Sequence, residues 1–244
     1  MSFTRFQISF AILFFLGIKT FSQTHSKEKI FETYDKIIGL ENTNLFNGSE
    51  FTDLYLNTDG TYRYFIDYDY TKGSVVYNNQ YYVNVSLKYD LLDDNLLTHS
   101  EDNLSVFNVK LIPSFIDTFS IYNHNFVRLD ATGLDISANG FFEVAYVGNE
   151  LELYIKHTKR KKEKALSSGI QYRFTNANFY VLKSNGNYTI VSSARDLIKL
   201  IPEQEEQIRT FYKSYKALYK SNPDSFMTKL ILYLDRSFDK ANKY

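Results

Sequence analysis

From about Phe51 to Val191 apolar residues recur at every second position, they are chiefly Tyr, Phe, Val and Ile, and turn residues interrupt them at short intervals. Successive side chains of a strand point to opposite faces, so this period buries one side of a sheet. The clearest unit runs from Ser74 to Tyr77, through Asn78-Asn79, and on from Gln80 to Tyr89. Asn tolerates positive φ, so the pair suits a tight hairpin. Further turns are expected at Asp59-Gly60, Asp93-Asp94-Asn95, Asn123-His124-Asn125, Gly148-Asn149 and Asn185-Gly186. Links this short join antiparallel neighbours, because a parallel crossover takes a dozen or more residues. The expected fold is mainly β with helices (α+β): an antiparallel meander of about ten strands forming a curved sheet, a sandwich or a partial barrel.

Both flanks have helical periods. Ser26 suits the N-cap of a helix from about Lys27 to Leu40, where Ile30, Phe31, Tyr34, Ile37 and Ile38 would pack on the domain and Gly39 would end it. After residue 192, Ser193-Ala-Arg-Asp196 resembles a capping box for a short helix through Leu200. Pro202 suits the first turn of a second helix with an apolar stripe from Ile208 to Tyr219, and Asn222-Pro223-Asp224 restarts a third, lined by Phe226, Leu230, Ile231, Leu234 and Phe238. These helices are expected to cap one face or end of the sheet.

The first residues bear on compartment. Arg5 supplies a positive start, Phe6 to Ile18 is a mostly apolar run, and Thr20 and Ser22 stand at the −3 and −1 positions of a cut before Gln23. Thirteen residues are too few to span a bilayer as a helix, which takes about 20. The expected organisation is a signal peptide over 1–22, an N-terminal helix with the β domain over 23–192, and a helical segment over 193–244. Export to the periplasm, the outer membrane or beyond follows, with no transmembrane span in the mature chain. An outer-membrane barrel is disfavoured by the helical end and by charges within several strands. The sequence has no Cys, which excludes disulfides, thiolate catalysis and iron–sulfur clusters.

The formal charge of zero is a cancellation. Lys27 to Ile155 has 8 basic and 20 acidic residues, a balance of −12, whereas Lys156 to Tyr244 has 18 and 8, a balance of +10. Either the two stretches neutralise one another in the fold, or it displays oppositely charged faces. No nucleic-acid partner is expected from this total in an exported protein.

Two constellations stand out. Asp67, Asp69, Asp90 and Asp93, with Asp94 beside them, could flank a glycosidic bond or hold a hard cation if they converge, while Asp at strand ends also starts turns. Lys156 to Lys164 places six basic residues in nine, and Lys159, Arg160, Lys161 and Lys162 are its candidate contacts with anionic lipid or polysaccharide. The plainer reading is a solvated loop at a hairpin tip. His25, His99, His124 and His157 lack metal-ligand spacing and are expected in turns or at the surface. No nucleophile elbow, phosphate loop or dinucleotide fingerprint occurs, so no metal or other cofactor is expected. The 21 Tyr residues suit a partner platform, although strand propensity also enriches Tyr.

Gly73-Ser-Val75, the hairpin Tyr77 to Tyr82 and Leu87-Lys-Tyr-Asp90 resemble the N-terminal hallmark of an uncharacterised family of secreted, signal-peptide-bearing envelope proteins of Bacteroidetes-type Gram-negative bacteria. Phe179 to Tyr188, Val191-Ser-Ser193 and Asp196 to Leu200 are similar to its C-terminal hallmark. The resemblance implies export and carries no catalytic residue. The leading expectation is a non-catalytic, secreted or envelope-associated β-rich protein that binds an envelope partner or ligand. The alternatives are a carboxylate-dependent hydrolase of an envelope polymer or saccharide, and peripheral binding of an anionic surface through the basic segment.

Overall fold

The computed structural model describes residues 33, 37–100, 107–129 and 139–241. Among them 44% of the chain is strand, arranged as one large antiparallel sheet that does not close, with four α-helices after it. The strands are β1 (Ser49–Glu50), β2 (Thr71–Tyr77), β3 (Gln80–Asp90), β4 (Asn95–His99), β5 (Asn108–Lys110), β6 (Ile116–Ile121), β7 (His124–Leu129), β8 (Gly140–Val147) and β9 (Leu151–Lys156). The hairpin β10 (Lys159–Leu166) and β11 (Gly169–Asn176) precedes β12 (Phe179–Ser184) and β13 (Asn187–Val191).

The eleven-stranded order is β1-β5-β4-β3-β2-β6-β7-β8-β9-β12-β13. The chain therefore walks outward from β2 to β5, returns to the other edge of β2 with β6, and walks outward again. Short links enforce this neighbour pairing, and positive φ at Asn78 (50°) and Asn79 (61°) makes the β2–β3 turn. The turn after β6 uses Tyr122 and Asn123, which leaves His124 as the first residue of β7 rather than a turn residue. The β10–β11 ribbon forms a separate two-stranded sheet inserted between the neighbours β9 and β12. The basic segment expected as a loop is thus largely strand. Its partner contributes Ile170, Tyr172 and Phe174, good strand formers, and alternate lysine stems of β10 cover aromatic rings.

The helices are α1 (Ala194–Leu200), α2 (Glu205–Ser214), α3 (Lys216–Ser221) and α4 (Pro223–Ala241). Ser193 caps α1 by accepting from the Asp196 amide. The second expected helix is divided at Tyr215, so there are four rather than three. The leader expected over 1–22 and most of the helix expected over Lys27 to Leu40 lie outside the described residues. The N-terminal helix as a whole is not supported: Thr33, Ile37 and Ile38 are helical and Gly39, at φ 80°, ends that stretch, but Leu40 already belongs to a 3-10 turn, Leu40–Asn42, with another, Asn44–Phe46, after it, and Ile37, expected on the packed face, is 80% exposed.

Two cores share one face of the sheet. The first buries Tyr77, Tyr82, Leu87, Tyr89, Phe119 and Phe126, with Phe65 of the long segment before β2 laid over them. The second packs Leu153, Ile155, Tyr180 and Leu182 against Leu197, Ile208, Phe226 and Leu230 of the helices. Each such side chain contributes about 1.5–3 kcal/mol of transfer free energy. Several tyrosines thus serve as core rather than as an exposed platform. No helix among the described residues is long and apolar enough to cross a membrane.

Candidate functional site: a cleft at the seam of the two cores

Register creates the site. Glu143 of β8 stands directly opposite Phe126 of β7 and Ile155 of β9, so all three share a face. Stepping two residues along each neighbour keeps that face and reaches His124 and His157. Glu143 accepts a hydrogen bond from His124 Nδ1 on Oε1 (2.7 Å) and from His157 Nε2 on Oε2 (2.6 Å). The two histidines expected apart in turns or at the surface therefore meet on one carboxylate, and His157 is buried.

The network continues toward the helices. Asn178 accepts the Thr158 amide (3.2 Å) on Oδ1, which orients its Nδ2 to donate to His157 Nδ1 (3.1 Å) and to Asp224 (3.0 Å). The Tyr180 hydroxyl donates to the other Asp224 oxygen at 2.8 Å. Burial raises the Tyr180 hydroxyl pKa, and the Asp224 charge adds to it. Burial also pushes the Glu143 carboxyl up, but the hydrogen bonds and charge interactions of His157 and His124 outweigh it and hold the group below the usual carboxylate range.

His124, Glu143, His157, Asn178 and Asp224 line an open cleft of about 660 Å³, whose wall also includes Tyr62, Phe65 and Phe174 and, from α4, Ser225, Thr228 and Lys229. Lys159 contributes a half-buried ammonium whose pKa is lowered by burial, and the Tyr62 ring lies 5.7 Å from it. Among the described residues it has no carboxylate partner. Ile66, also in the wall, has φ 61°, and a hydrogen bond from the Asp67 amide to Phe65 O (2.7 Å) closes a three-residue turn around it. A β-branched residue in that region stores roughly 1–3 kcal/mol of strain, and such strain concentrates at binding sites.

The expected carboxylate cluster divides. Asp90 and Asp93 converge, but on Arg63: its Nε donates to Asp90 at 2.8 Å and its Nη2 contacts both carboxylates. Asp90 is 0% exposed and Arg63 3%, so the contact is a lock between β3 and the segment before β2. Asp67 and Asp69 lie exposed in that segment and take no part in it. Asp94 instead pairs with the buried Lys156 at 2.7 Å. The basic quartet also divides. Lys159 faces the cleft, Lys161 turns to Tyr55 and Glu163, and Arg160 and Lys162 are exposed on the opposite face.

Glu143→Gln keeps the shape and removes the charge, so it is expected to lower stability by about 1–3 kcal/mol at neutral pH. The folded carboxyl titrates below its unfolded value of 4.5, so its contribution is complete above that value and lost as the pH falls through the folded one. The gap between wild type and variant in urea midpoints should therefore narrow below about pH 4; a gap independent of pH would count against the network. In comparisons with protein-family models, curated proteins and solved structures, nothing matches the chain.

Proposed function

We propose that the chain is an exported, envelope-associated binding protein without catalytic activity that holds a small ligand in the cleft beside His124. One observation carries this reading: every oxygen of the two cleft carboxylates already accepts a hydrogen bond within the fold, Glu143 from two imidazoles and Asp224 from Tyr180 and Asn178. Both are thereby committed to holding the fold, which favours a positioning role for them over direct acid–base work. What remains for a ligand is the outer edge of His124, the Lys159 and Lys229 ammonium groups, the Ser225 hydroxyl of α4 and the aromatic wall. That combination suits a polar organic ligand with one apolar face. Export is supported by Arg5, the apolar run and the Thr20/Ser22 cut pattern.

Hydrolysis of an envelope polymer or saccharide is the second reading, favoured by one detail. Glu143 holds His124 at Nδ1, and the other ring nitrogen has no protein partner among the described residues, the layout of an oriented proton acceptor. A melting screen of the mature chain against muropeptides, oligosaccharides, uronic acids and short peptides separates the two. Binding predicts a compound that raises the melting temperature by several degrees and is recovered unchanged, with His124→Ala weakening it about tenfold. Product formation that disappears in His124→Ala would replace the binding reading with the hydrolytic one. A ligand indifferent to His124→Ala would move the site elsewhere.

A further inference from the structure

The two faces of the β10–β11 ribbon differ in charge: one mixes Lys159, Lys161 and Glu163 with aromatic rings, and the other carries cations alone. Directly paired residues share a face, and the register sets Lys161 opposite Phe174 and Glu163 opposite Tyr172 on the side that packs against Tyr55. The other face carries Arg160 opposite Thr175, Lys162 opposite Arg173 and Lys164 opposite Gln171. Those four cations are exposed, and no acidic residue of the ribbon lies on their face. Arg173 alone is paired, with Asp59 of the neighbouring segment. Like charges directly across a strand pair repel, so Lys162 opposite Arg173 is a cost to the fold that stability by itself does not explain. Edge protection would be served equally by charges of alternating sign.

At the tip, Leu166 and Ile170 are 38% and 48% exposed, with two serines and Gly169 (φ 128°) between them. A surface depression of about 300 Å³ lies beside Lys162, Lys164 and Arg173, with Asp59 and Glu163 also on its wall. We propose that this ribbon docks the protein on an anionic lipid bilayer. Arg160, Lys162 and Lys164, beside an Arg173 shared with Asp59, lie on phosphate headgroups, while the tip, with Leu166 on the cation face and Ile170 on the opposite one, tilts into the boundary between headgroups and acyl chains. An acidic polysaccharide would satisfy the cations but offers no hydrocarbon layer for the tip, and that selects the bilayer. The ribbon face is separate from the cleft, so this surface stands or falls independently of the cleft ligand.

Co-sedimentation of the mature chain with phosphatidylglycerol/phosphatidylcholine vesicles and with pure phosphatidylcholine tests it. Retention is expected on the anionic vesicles at about 50 mM NaCl and is expected to fall steeply by about 500 mM. The triple variant Arg160→Gln/Lys162→Gln/Lys164→Gln should lower partition about a hundredfold, near fivefold per cation. Leu166→Ser/Ile170→Ser should weaken it with the salt dependence unchanged. All five positions are exposed, so an unaltered circular dichroism melt confirms that each variant is folded. Equal partition of wild type and triple variant, or equal retention on both vesicle types, overturns the proposal. Retention on soluble alginate that depends on the cations but not on Leu166 and Ile170, without vesicle binding, overturns it in favour of a polysaccharide.

Discussion

Asp235→Ala is expected to cost the fold about 3–5 kcal/mol, a large share of the 5–15 kcal/mol by which an ordinary domain is stable. Asp235 lies in α4, and its carboxylate ties that helix to the β8–β9 turn. Oδ1 accepts the amides of Glu150 (2.9 Å) and Leu151 (2.8 Å), while Oδ2 accepts the Asn149 amide (3.1 Å) and the Tyr146 hydroxyl (2.9 Å). Hydrogen bonds to an ionised acceptor contribute about 1.5–3 kcal/mol each, and truncation strands three backbone donors. Asp235→Asn should lose less, because one oxygen remains while the amide nitrogen faces donors. Gly148→Ala attacks the same contact from the other side, since an added Cβ would stand 2.1 Å from Asp235 Oδ2.

The same carboxylate makes the protein acid-sensitive. Burial raises its pKa, but the Glu150 amide, the Tyr146 hydroxyl and the Leu151 and Asn149 amides together hold it below 3.8. A depressed carboxyl stabilises fully above its unfolded pKa, and that contribution is lost as the pH falls through the folded one. Urea midpoints of wild type and Asp235→Ala should therefore converge below about pH 4. A loss under about 1 kcal/mol at pH 7 would show that the turn is held by other contacts.

Arg63→Ala should destabilise by a similar amount, about 3–5 kcal/mol, because it leaves the fully buried Asp90 without its counter-charge. Asp90 also accepts the Leu92 amide at 3.0 Å, so Asp90→Ala strands a backbone donor as well as the guanidinium. Around that guanidinium the Phe51 and Tyr55 rings stand 5.7 and 5.1 Å away. A pair of this kind is costly to break and cheap to replace, so Arg63→Met/Asp90→Leu should recover much of the loss. Denaturant midpoints of the two single alanine variants and their double alanine variant complete the cycle. Strict additivity would mean that the pair does not act as a unit.

The β2–β3 hairpin, the Ser193 cap and the apolar stripe of α4 are legible in the sequence because each rests on local chemistry: turn residues that accept positive φ, an oxygen positioned to cap, and a period of 3.6. The breaks in legibility are equally local in cause. Asp235 interrupts the buried side of a helix four residues after Ile231, and an acid at that position signals a buried partner without naming it. Lys156 and Lys159 read as members of a solvated run, yet the first is buried against Asp94 and the second faces the cleft. The charge imbalance between the two stretches resolves both ways. Lys156–Asp94 and Lys183–Glu152 pairs join them at 2.7 Å, while the outer face of β10 retains exposed positive charge.

What the sequence by itself determined is the class of fold, since a period of two with short links admits only antiparallel neighbours and the helical period after Ser193 must cover one of their faces. The site was decided by tertiary structure, through a single extra residue. The β8–β9 pairing shifts register between Val144 and Tyr146, with Ala145 as the bulge. Without that shift Glu143 would stand opposite Lys156, and His157 would point through the sheet to its other side. Because a one-residue slip reverses every face beyond it, the carboxylate and its two imidazoles meet only when the strands are assembled.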